Sequence, residues 1–204
     1  MNEYSFINKI NVKMKNILII NGHPRKDSFN SVIAETYKTA AVNSEASVKQ
    51  INVRDLKFDA FQTQFKDYEV SEDILNARKL IKKANHIVWV YPIWWYSMPA
   101  LLKAFIEQTF MAGFAFEYLK SDKVLKWNKF LTGKTTSIIS TMDAPPWYYN
   151  LLLKNPGGKF LKESMKFCGI KFKSKLYFGS VKLSSEEQRR KWLKKVEIAG
   201  SKHK

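Results

Sequence analysis

Apolar residues alternate along the chain between short continuous runs and longer stretches with helical spacing. Short apolar runs are typical of strands buried on both faces of a parallel sheet, and five predict strands, over residues 16–21, 48–53, 86–91, 134–142 and 171–180. Helical spacing predicts amphipathic helices over residues 28–43, 71–84, 99–110 and 160–168. A last helix is predicted to begin at a capping box, Ser184-Ser185-Glu186-Glu187, and to end near residue 199.

Strands that alternate with helices in this way predict an α/β fold. We expect a doubly wound, five-stranded parallel sheet with helices on both faces. No internal repeat or low-complexity linker divides the chain, so one domain is predicted over residues 16–199. Residues 1–15 are predicted to be a leader, with Met14 as an alternative start, and residues 200–204 a basic tail.

Ligands of such folds bind beyond the carboxyl ends of the strands, where the strand order reverses. Three predicted connections leave those ends: residues 21–30, 92–98 and 142–149. Because parallel strands end at the same edge of the sheet, we expect these connections to meet in one crevice.

The charge of the chain favours anionic ligands without identifying one. Lys and Arg number 35 against 18 Asp and Glu, which gives a net charge of +17. Such a surface attracts polyanions, although a solvated lysine-rich surface has the same composition. The sequence has no zinc-finger spacing, helix-turn-helix signature or RNA-recognition motif. We therefore predict no nucleic-acid partner.

Other classes of protein are disfavoured by what the sequence lacks. No apolar run approaches the roughly 20 residues of a membrane helix, and the first residues do not resemble a secretory signal. Cys168 is the single cysteine, so neither an internal disulfide nor a thiolate metal cluster is expected. These features predict a cytoplasmic protein without stable membrane insertion and without a metal site. No G-x-G-x-x-G motif is present, so the dinucleotide-binding fingerprint is missing.

Two of the three connections have compositions suited to a ligand. Residues 21–30, NGHPRKDSFN, are either a plain strand-to-helix turn or an anion site at the start of a helix, with His23 as a donor. Residues 91–96, YPIWWY, are either a core cluster or a flat apolar platform. A planar ligand with a phosphate tail would suit both features together, as flavin mononucleotide (FMN) and FAD would.

Three motifs carry a resemblance to a known family: His23 with Ser28-Phe29-Asn30, the run YPIWWYSMPALLK over residues 91–103, and Gly113-Phe114-Ala115-Phe116. The chain resembles the flavodoxin-like NAD(P)H:quinone oxidoreductases from about residue 16 to residue 192. This resemblance implies a bound flavin, FAD or FMN, with NAD(P)H as electron donor and a quinone-like acceptor. Hydride would pass through flavin N5 in a ping-pong mechanism. An alternative within the same resemblance is a flavin-binding regulatory subunit of a membrane potassium-efflux system.

The resemblance also implies which residues bind the flavin. They are His23, Ser28, Phe29, Asn30, Pro92, Ile93, Trp94, Trp95, Tyr96, Thr141, Met142, Asp143 and Tyr148. Those nearest the reaction would be Trp95, Tyr96 and Tyr148, although the family tyrosine aligns equally with Tyr149.

The sequence departs from the family at two places. The third connection has Thr-Met-Asp-Ala-Pro instead of a glycine-rich sequence, and Lys154 stands near the position of a family histidine. A homodimer is implied, with residues 113–118 at an edge of its interface.

Overall fold

The computed structural model describes residues 14–60, 69–119 and 126–204. The described strands are β1 (Asn16–Asn21), β2 (Ser47–Asn52), β3 (His86–Pro92), β4 (Phe116–Leu119), β5 (Lys126–Lys129), β6 (Thr135–Thr141) and β7 (Lys171–Phe178). The described helices are α1 (Phe29–Val42), α2 (Glu72–Lys83), α3 (Ala100–Thr109), α4 (Pro156–Phe167) and α5 (Glu186–Ser201).

Five of the strands form one parallel sheet in the order β2-β1-β3-β6-β7. The chain proceeds from β1 to β2 on one side and then returns to place β3 on the other side of β1. The strand order therefore reverses between β1 and β3, which is where a doubly wound fold binds its ligand. The predicted fold class is confirmed.

Apolar cores lie on both faces of this sheet. On one face, α1 and α5 pack through residues such as Ile33 and Val196 against Val88 and Val90 of β3. On the other face, α2, α3 and α4 pack against the alternate residues of the same strands. Every residue of β3 is buried, as expected of a central parallel strand.

Helix α4 begins at Pro156, so the predicted start at residue 160 was wrong. Gly157 and Gly158 resemble helix breakers in the sequence. However, Asn155 caps the helix, since its Oδ1 accepts a hydrogen bond from the Gly158 amide at 3.2 Å. Proline at the first helical position is also typical of a helix start.

The end of the chain differs from the prediction by one or two residues at each boundary. Ser185 caps α5, because its Oγ accepts from the Gln188 amide at 3.1 Å, so the predicted capping box from Ser184 to Glu187 is displaced by one residue. Gly200 and Ser201, placed in the tail by the sequence analysis, are the last residues of α5. Of the predicted leader, residues 1–13 lie outside the described residues.

A hairpin and a π-helical turn were not predicted. Strands β4 and β5 pair antiparallel beside the main sheet, and residues Tyr148–Leu152 form the π-helical turn between β6 and α4. Among the described residues, no helix has the length and apolar composition needed to cross a membrane.

Candidate functional site

The connections after β1, β3 and β6 emerge side by side. Asn21 pairs with Val90, and Pro92 pairs with Thr141. Hydrogen bonds continue this pairing beyond the strands, since the Gly22 amide donates to the Val90 carbonyl at 2.8 Å and the Ile93 amide to the Thr141 carbonyl at 2.7 Å. The three segments therefore leave the same edge of the sheet side by side at the reversal of strand order, and we call the space between them the crevice.

The first connection ends at the N-terminus of α1. Ser28 caps this helix, and its Oγ accepts from the Ser31 amide at 3.2 Å. The amides of Phe29 and Asn30 are the first two of the helix and precede any intrahelical partner. The first turn of α1 has no acidic residue, so the positive end of the helix dipole is not neutralised there. A helix start of this kind is suited to binding an anion.

His23 lies beside this helix start and is buried. Its Nδ1 accepts a hydrogen bond from the Arg25 amide at 3.0 Å, so the neutral ring carries its hydrogen on Nε2. Burial, followed by the charges of Arg25 and Arg54, lowers the pKa of His23. The ring is therefore a neutral donor at physiological pH, and its edge packs against Trp94 with ring centroids 5.6 Å apart.

The side chains of Asn30 and Phe29 point in different directions, so the two residues offer the crevice different groups. The Asn30 side chain is 2% exposed, and its Oδ1 accepts from Thr141 Oγ1 at 2.8 Å. Its buried Nδ2 has no partner among the residues that the structure describes. The Phe29 ring turns away towards α5, where it packs against Trp192 and lies under Arg189. Phe29 thus offers the crevice its backbone amide, whereas Asn30 offers both an amide and an unused side-chain donor.

Residues 94–97, here called the aromatic turn, close the connection after β3. The Trp94 amide donates to the Ser97 carbonyl at 2.8 Å, and the Ser97 amide donates back to the Trp94 carbonyl at 3.0 Å. Trp95 and Tyr96 both have positive φ, 47° and 64°, which defines a type I′ turn.

This turn is strained because neither central residue is Asn, Asp or Gly. A left-handed conformation costs an ordinary residue about 1–2 kcal/mol. The geometry leaves Trp95 96% exposed, with Trp94 and Tyr96 about half exposed. Strained residues are typical of functional sites, and the exposure of these rings favours a surface platform over a core cluster.

The third connection directs its first side chains away from the crevice. The Met142 amide donates to the Phe178 carbonyl at 2.9 Å, and its side chain is buried. Asp143 Oδ1 accepts from the Lys182 amide at 3.2 Å. These contacts hold the start of the connection against the segment between β7 and α5, so Met142 and Asp143 offer the crevice only their backbone.

The two tyrosines of the π-helical turn differ in their contacts. Tyr148 is half buried and packs its ring edge against Trp147. Tyr149 is 1% exposed; its hydroxyl donates to the Tyr96 carbonyl and accepts from the Gly157 amide, both at 3.0 Å. Tyr149 therefore joins the aromatic turn to α4, and Tyr148 is the tyrosine that remains accessible.

Two polar residues at the crevice were not predicted. Asn21 Oδ1 accepts from the His23 amide at 3.1 Å, and Arg54 Nη1 lies 3.4 Å from the His23 carbonyl oxygen. The sequence could have indicated Asn21, because a polar residue that ends an apolar strand lies at the edge of the sheet where ligands bind. Arg54 follows β2, and nothing in its local sequence indicates that it reaches the first connection.

Together these features are a candidate anion site at α1 and exposed aromatic rings after β3. The residues present fit a planar ring with a phosphate tail, since a buried unused donor and two helix amides lie near exposed aromatic rings. The described part of the chain contains no group of three or more His, Cys, Asp or Glu that could hold a metal ion.

Comparison with known proteins identifies the family. The profile of the flavodoxin-like fold family matches residues 15–198. The chain therefore belongs to this family.

A relative and two solved structures are similar to the chain. NAD(P)H dehydrogenase [quinone] 1 of Cavia porcellus is 25% identical over 127 residues, which cover 52% of this chain and about half (46%) of that enzyme. The crystal structure of Smu.1420 from Streptococcus mutans UA159 is 28% identical, with a TM-score of 0.77, and covers 92% of this chain and 99% of that one. An FMN-dependent NADH-azoreductase from Bacillus anthracis, solved in complex with FMN, is 20% identical and has a TM-score of 0.71, so it shares the fold. The match covers 93% of this chain and 99% of that one.

Proposed function

We propose that the protein is a flavin-dependent NAD(P)H oxidoreductase that reduces quinones or similar two-electron acceptors. The observation that carries the proposal is the exposed aromatic turn beside the anion site of α1. The names of the quinone dehydrogenase from Cavia porcellus and of the FMN-dependent azoreductase support this class of reaction.

The chain binds the phosphate of the flavin at the start of α1. The amides of Phe29 and Asn30, the Nδ2 of Asn30 and the Nε2–H of His23 are the donors. Thr141 holds the amide of Asn30 in one orientation through its 2.8 Å hydrogen bond. These donors are neutral, so the phosphate charge is met by the helix dipole and by Arg25 and Arg54 nearby.

The aromatic turn positions the ring system and excludes water from one side of it. Its two closing hydrogen bonds use Trp94 and Ser97, so the amides of Trp95 and Tyr96 at the tip would donate to the polar edge of a bound ring. Tyr148, which is partly exposed, would donate a proton to the acceptor and regain one from solvent. The flavin that these residues would hold would supply hydride exchange between NAD(P)H and the acceptor, in a ping-pong sequence.

Cofactor extraction and turnover together test this function. Purified protein is saturated with FMN or FAD, washed and denatured, and the released flavin is identified by mass. NADH or NADPH oxidation is then measured with a quinone, and parallel double-reciprocal lines are expected. Trp95→Ala is expected to lose most turnover, whereas Val42→Ala, exposed at the far end of α1 from the crevice, is expected to match the wild type.

Two results would contradict the proposal in different ways. A protein that retains neither flavin after saturation has no flavin site. A protein that retains flavin but shows negligible turnover supports the regulatory alternative, in which the flavin-bound chain acts on a membrane transporter.

The homodimer implied by the family resemblance is also a proposal. A groove of about 920 Å³ lies between α3, α4 and the β4 hairpin, and Ile106, Phe110 and Phe160 are among its apolar lining residues. Tyr118 at its rim is 51% exposed. An apolar groove with an exposed aromatic residue beside it is typical of a protein interface. In sedimentation velocity, Tyr118→Glu is expected to convert a dimer into a monomer, whereas Ile198→Glu on α5, exposed to a similar extent at 45%, is expected to leave the dimer intact.

A further inference from the structure

We infer that Tyr149 is a positioning residue that couples the N-terminus of α4 to the tip of the aromatic turn. The inference rests on the proposed function, because it concerns the amide that faces the flavin. The coupling is carried by a continuous chain of hydrogen bonds through three peptide groups and the Tyr149 hydroxyl.

The first two links of this chain pass through the Tyr149 hydroxyl. The Gly157 amide, at the second position of α4, donates to this oxygen at 3.0 Å. The hydroxyl in turn donates to the carbonyl of Tyr96 at 3.0 Å. An amide at the positive end of a helix is a strong donor, so the hydroxyl it polarises becomes a stronger donor as well.

The remaining links run inside the aromatic turn. The carbonyl of Tyr96 and the amide of Ser97 belong to one peptide group, and that amide donates to the Trp94 carbonyl at 3.0 Å. The Trp94 carbonyl and the Trp95 amide form the next peptide group, at the tip of the turn. Each peptide that accepts at its oxygen donates more strongly at its nitrogen. The chain therefore ends by strengthening the Trp95 N–H as a donor to the bound ring.

Close packing fixes the geometry of this junction. A Cβ atom added to Gly157 would lie 2.9 Å from both the Ser97 Cα and the Tyr149 hydroxyl oxygen, and 3.0 Å from the Tyr96 carbonyl oxygen. These distances are shorter than an ordinary van der Waals contact, so only glycine lets α4 approach the turn so closely. The junction thus excludes water and holds the two left-handed residues of the turn from outside.

The Tyr149 hydroxyl keeps its proton under physiological conditions. Burial raises the pKa of Tyr149, and this outweighs the opposing effect of the amides that donate to it. The residue is therefore a permanent donor to Tyr96. It acts on the flavin through the turn and not as an acid in the reaction.

Tyr149→Phe tests the inference, with Tyr177→Phe as the matched control. The Tyr177 ring packs edge-on against Tyr149 at 5.8 Å, and its hydroxyl donates to Asn155 Oδ1 at 2.9 Å, at the same end of α4. Each substitution removes one hydroxyl from the same cluster; Tyr149→Phe loses the bonds to Gly157 and Tyr96, and Tyr177→Phe loses the bond to Asn155. Only Tyr149→Phe interrupts the chain to Tyr96.

Two measurements are made on each variant. Hydrogen exchange of the Ser97 amide is followed in flavin-free protein, and Tyr149→Phe is expected to accelerate it while Tyr177→Phe leaves it unchanged. The dissociation constant and the reduction potential are then measured for bound FMN. The loss of one hydrogen bond predicts roughly a two- to tenfold weaker affinity, and a weaker Trp95 donor predicts a more negative potential.

A second variant, Gly157→Ala, keeps the tyrosine but separates α4 from the turn. It is expected to change the exchange rate and the potential in the same direction as Tyr149→Phe. Equal values for Tyr149→Phe and Tyr177→Phe in both measurements would overturn the inference. If the wild type bound no flavin, the proposed function would fail, and the exchange measurement would still decide whether Tyr149 holds the turn.

Discussion

The hydrogen bond between Thr141 and Asn30 joins the end of β6 to the start of α1, and replacing Thr141 with Val removes its donor. Thr141 is 5% exposed and Asn30 2% exposed, and the bond between Oγ1 and Oδ1 is 2.8 Å long. Because valine has nearly the shape of threonine, the substitution leaves the packing in place. Asn30, whose Nδ2 already has no partner among the described residues, would then have both polar atoms buried and unpaired.

The cost of this change follows from burial. An unsatisfied buried polar group costs about 1–3 kcal/mol, whereas replacing both partners by apolar groups of the same shape is close to neutral. We therefore expect Thr141→Val to lower the free energy of unfolding by about 1–3 kcal/mol. Asn30→Leu is expected to lower it less, because it leaves the Thr141 hydroxyl unpaired but also removes the unpaired Nδ2. The double variant is expected to cost less than the sum, with a coupling of about 1–2 kcal/mol. In a chain of this length, each kcal/mol corresponds to about 2–4 °C in Tm.

Urea unfolding of the flavin-free protein measures the stability of the wild type, the two single variants and the double variant, which together form a double-mutant cycle. Thr141→Ser is the control, since it keeps the hydroxyl and loses one methyl group, at a cost of about 0.8 kcal/mol. Strictly additive losses in the double variant would refute the reasoning, because they would mean that the two side chains do not interact. A Thr141→Val protein as stable as the Thr141→Ser protein would refute it as well.

Three further predictions concern titration, reactivity and strain. Burial, with nearby positive charges, lowers the pKa of His86 to about 3. In the unfolded chain the same side chain protonates near pH 6.5, so its protonation does not destabilise the folded protein above that pH. Between pH 6.5 and 3 the free energy of unfolding should fall by up to about 1.4 kcal/mol per pH unit, and His86→Gln should reduce this slope in urea titrations. Burial raises the pKa of the Cys168 thiol to about 11, so mass spectrometry should find it unalkylated by iodoacetamide at pH 8 until urea is added. Replacing Trp95 by Asn and Tyr96 by Gly should stabilise the flavin-free protein by about 1–2 kcal/mol while weakening FMN binding; a loss of stability would contradict the assigned strain.

The parallel sheet could be predicted from the sequence because its strands are apolar without interruption. Residues 17–20 and 87–91 are all buried, so their pattern contains little ambiguity. The hairpin of β4 and β5 could not be predicted in the same way. Its strands are only four residues long, Phe-Glu-Tyr-Leu and Lys-Trp-Asn-Lys. No residue in either strand is buried, and the single aliphatic residue, Leu119, is exposed. Such strands lack the alternation that identifies a half-buried sheet.

The sequence predicts the location of the candidate site in the fold, but it does not predict the contacts of the individual side chains. Strand order alone brings residues 21–30, 92–98 and 142–149 together. Side-chain directions were not available from the pattern, since Phe29 turns to α5 and Asp143 turns to the segment before α5. Position along the chain also could not separate Tyr148 from Tyr149. Their difference arises from a π-helical turn, which leaves Tyr148 partly exposed and buries Tyr149 in the core.

The aromatic turn combines an unfavourable local sequence with a demanding backbone conformation. Asn-Gly would adopt a type I′ turn without strain, yet the chain has Trp95-Tyr96 at these positions. The conformation persists because Tyr149, 53 positions away along the chain, and Gly157 hold the turn from the other side. A distant contact therefore overrules local preference at a turn whose large rings are exposed. An explanation based on stability alone would favour small residues here, so the presence of two strained aromatic residues supports a ligand-binding function for the turn.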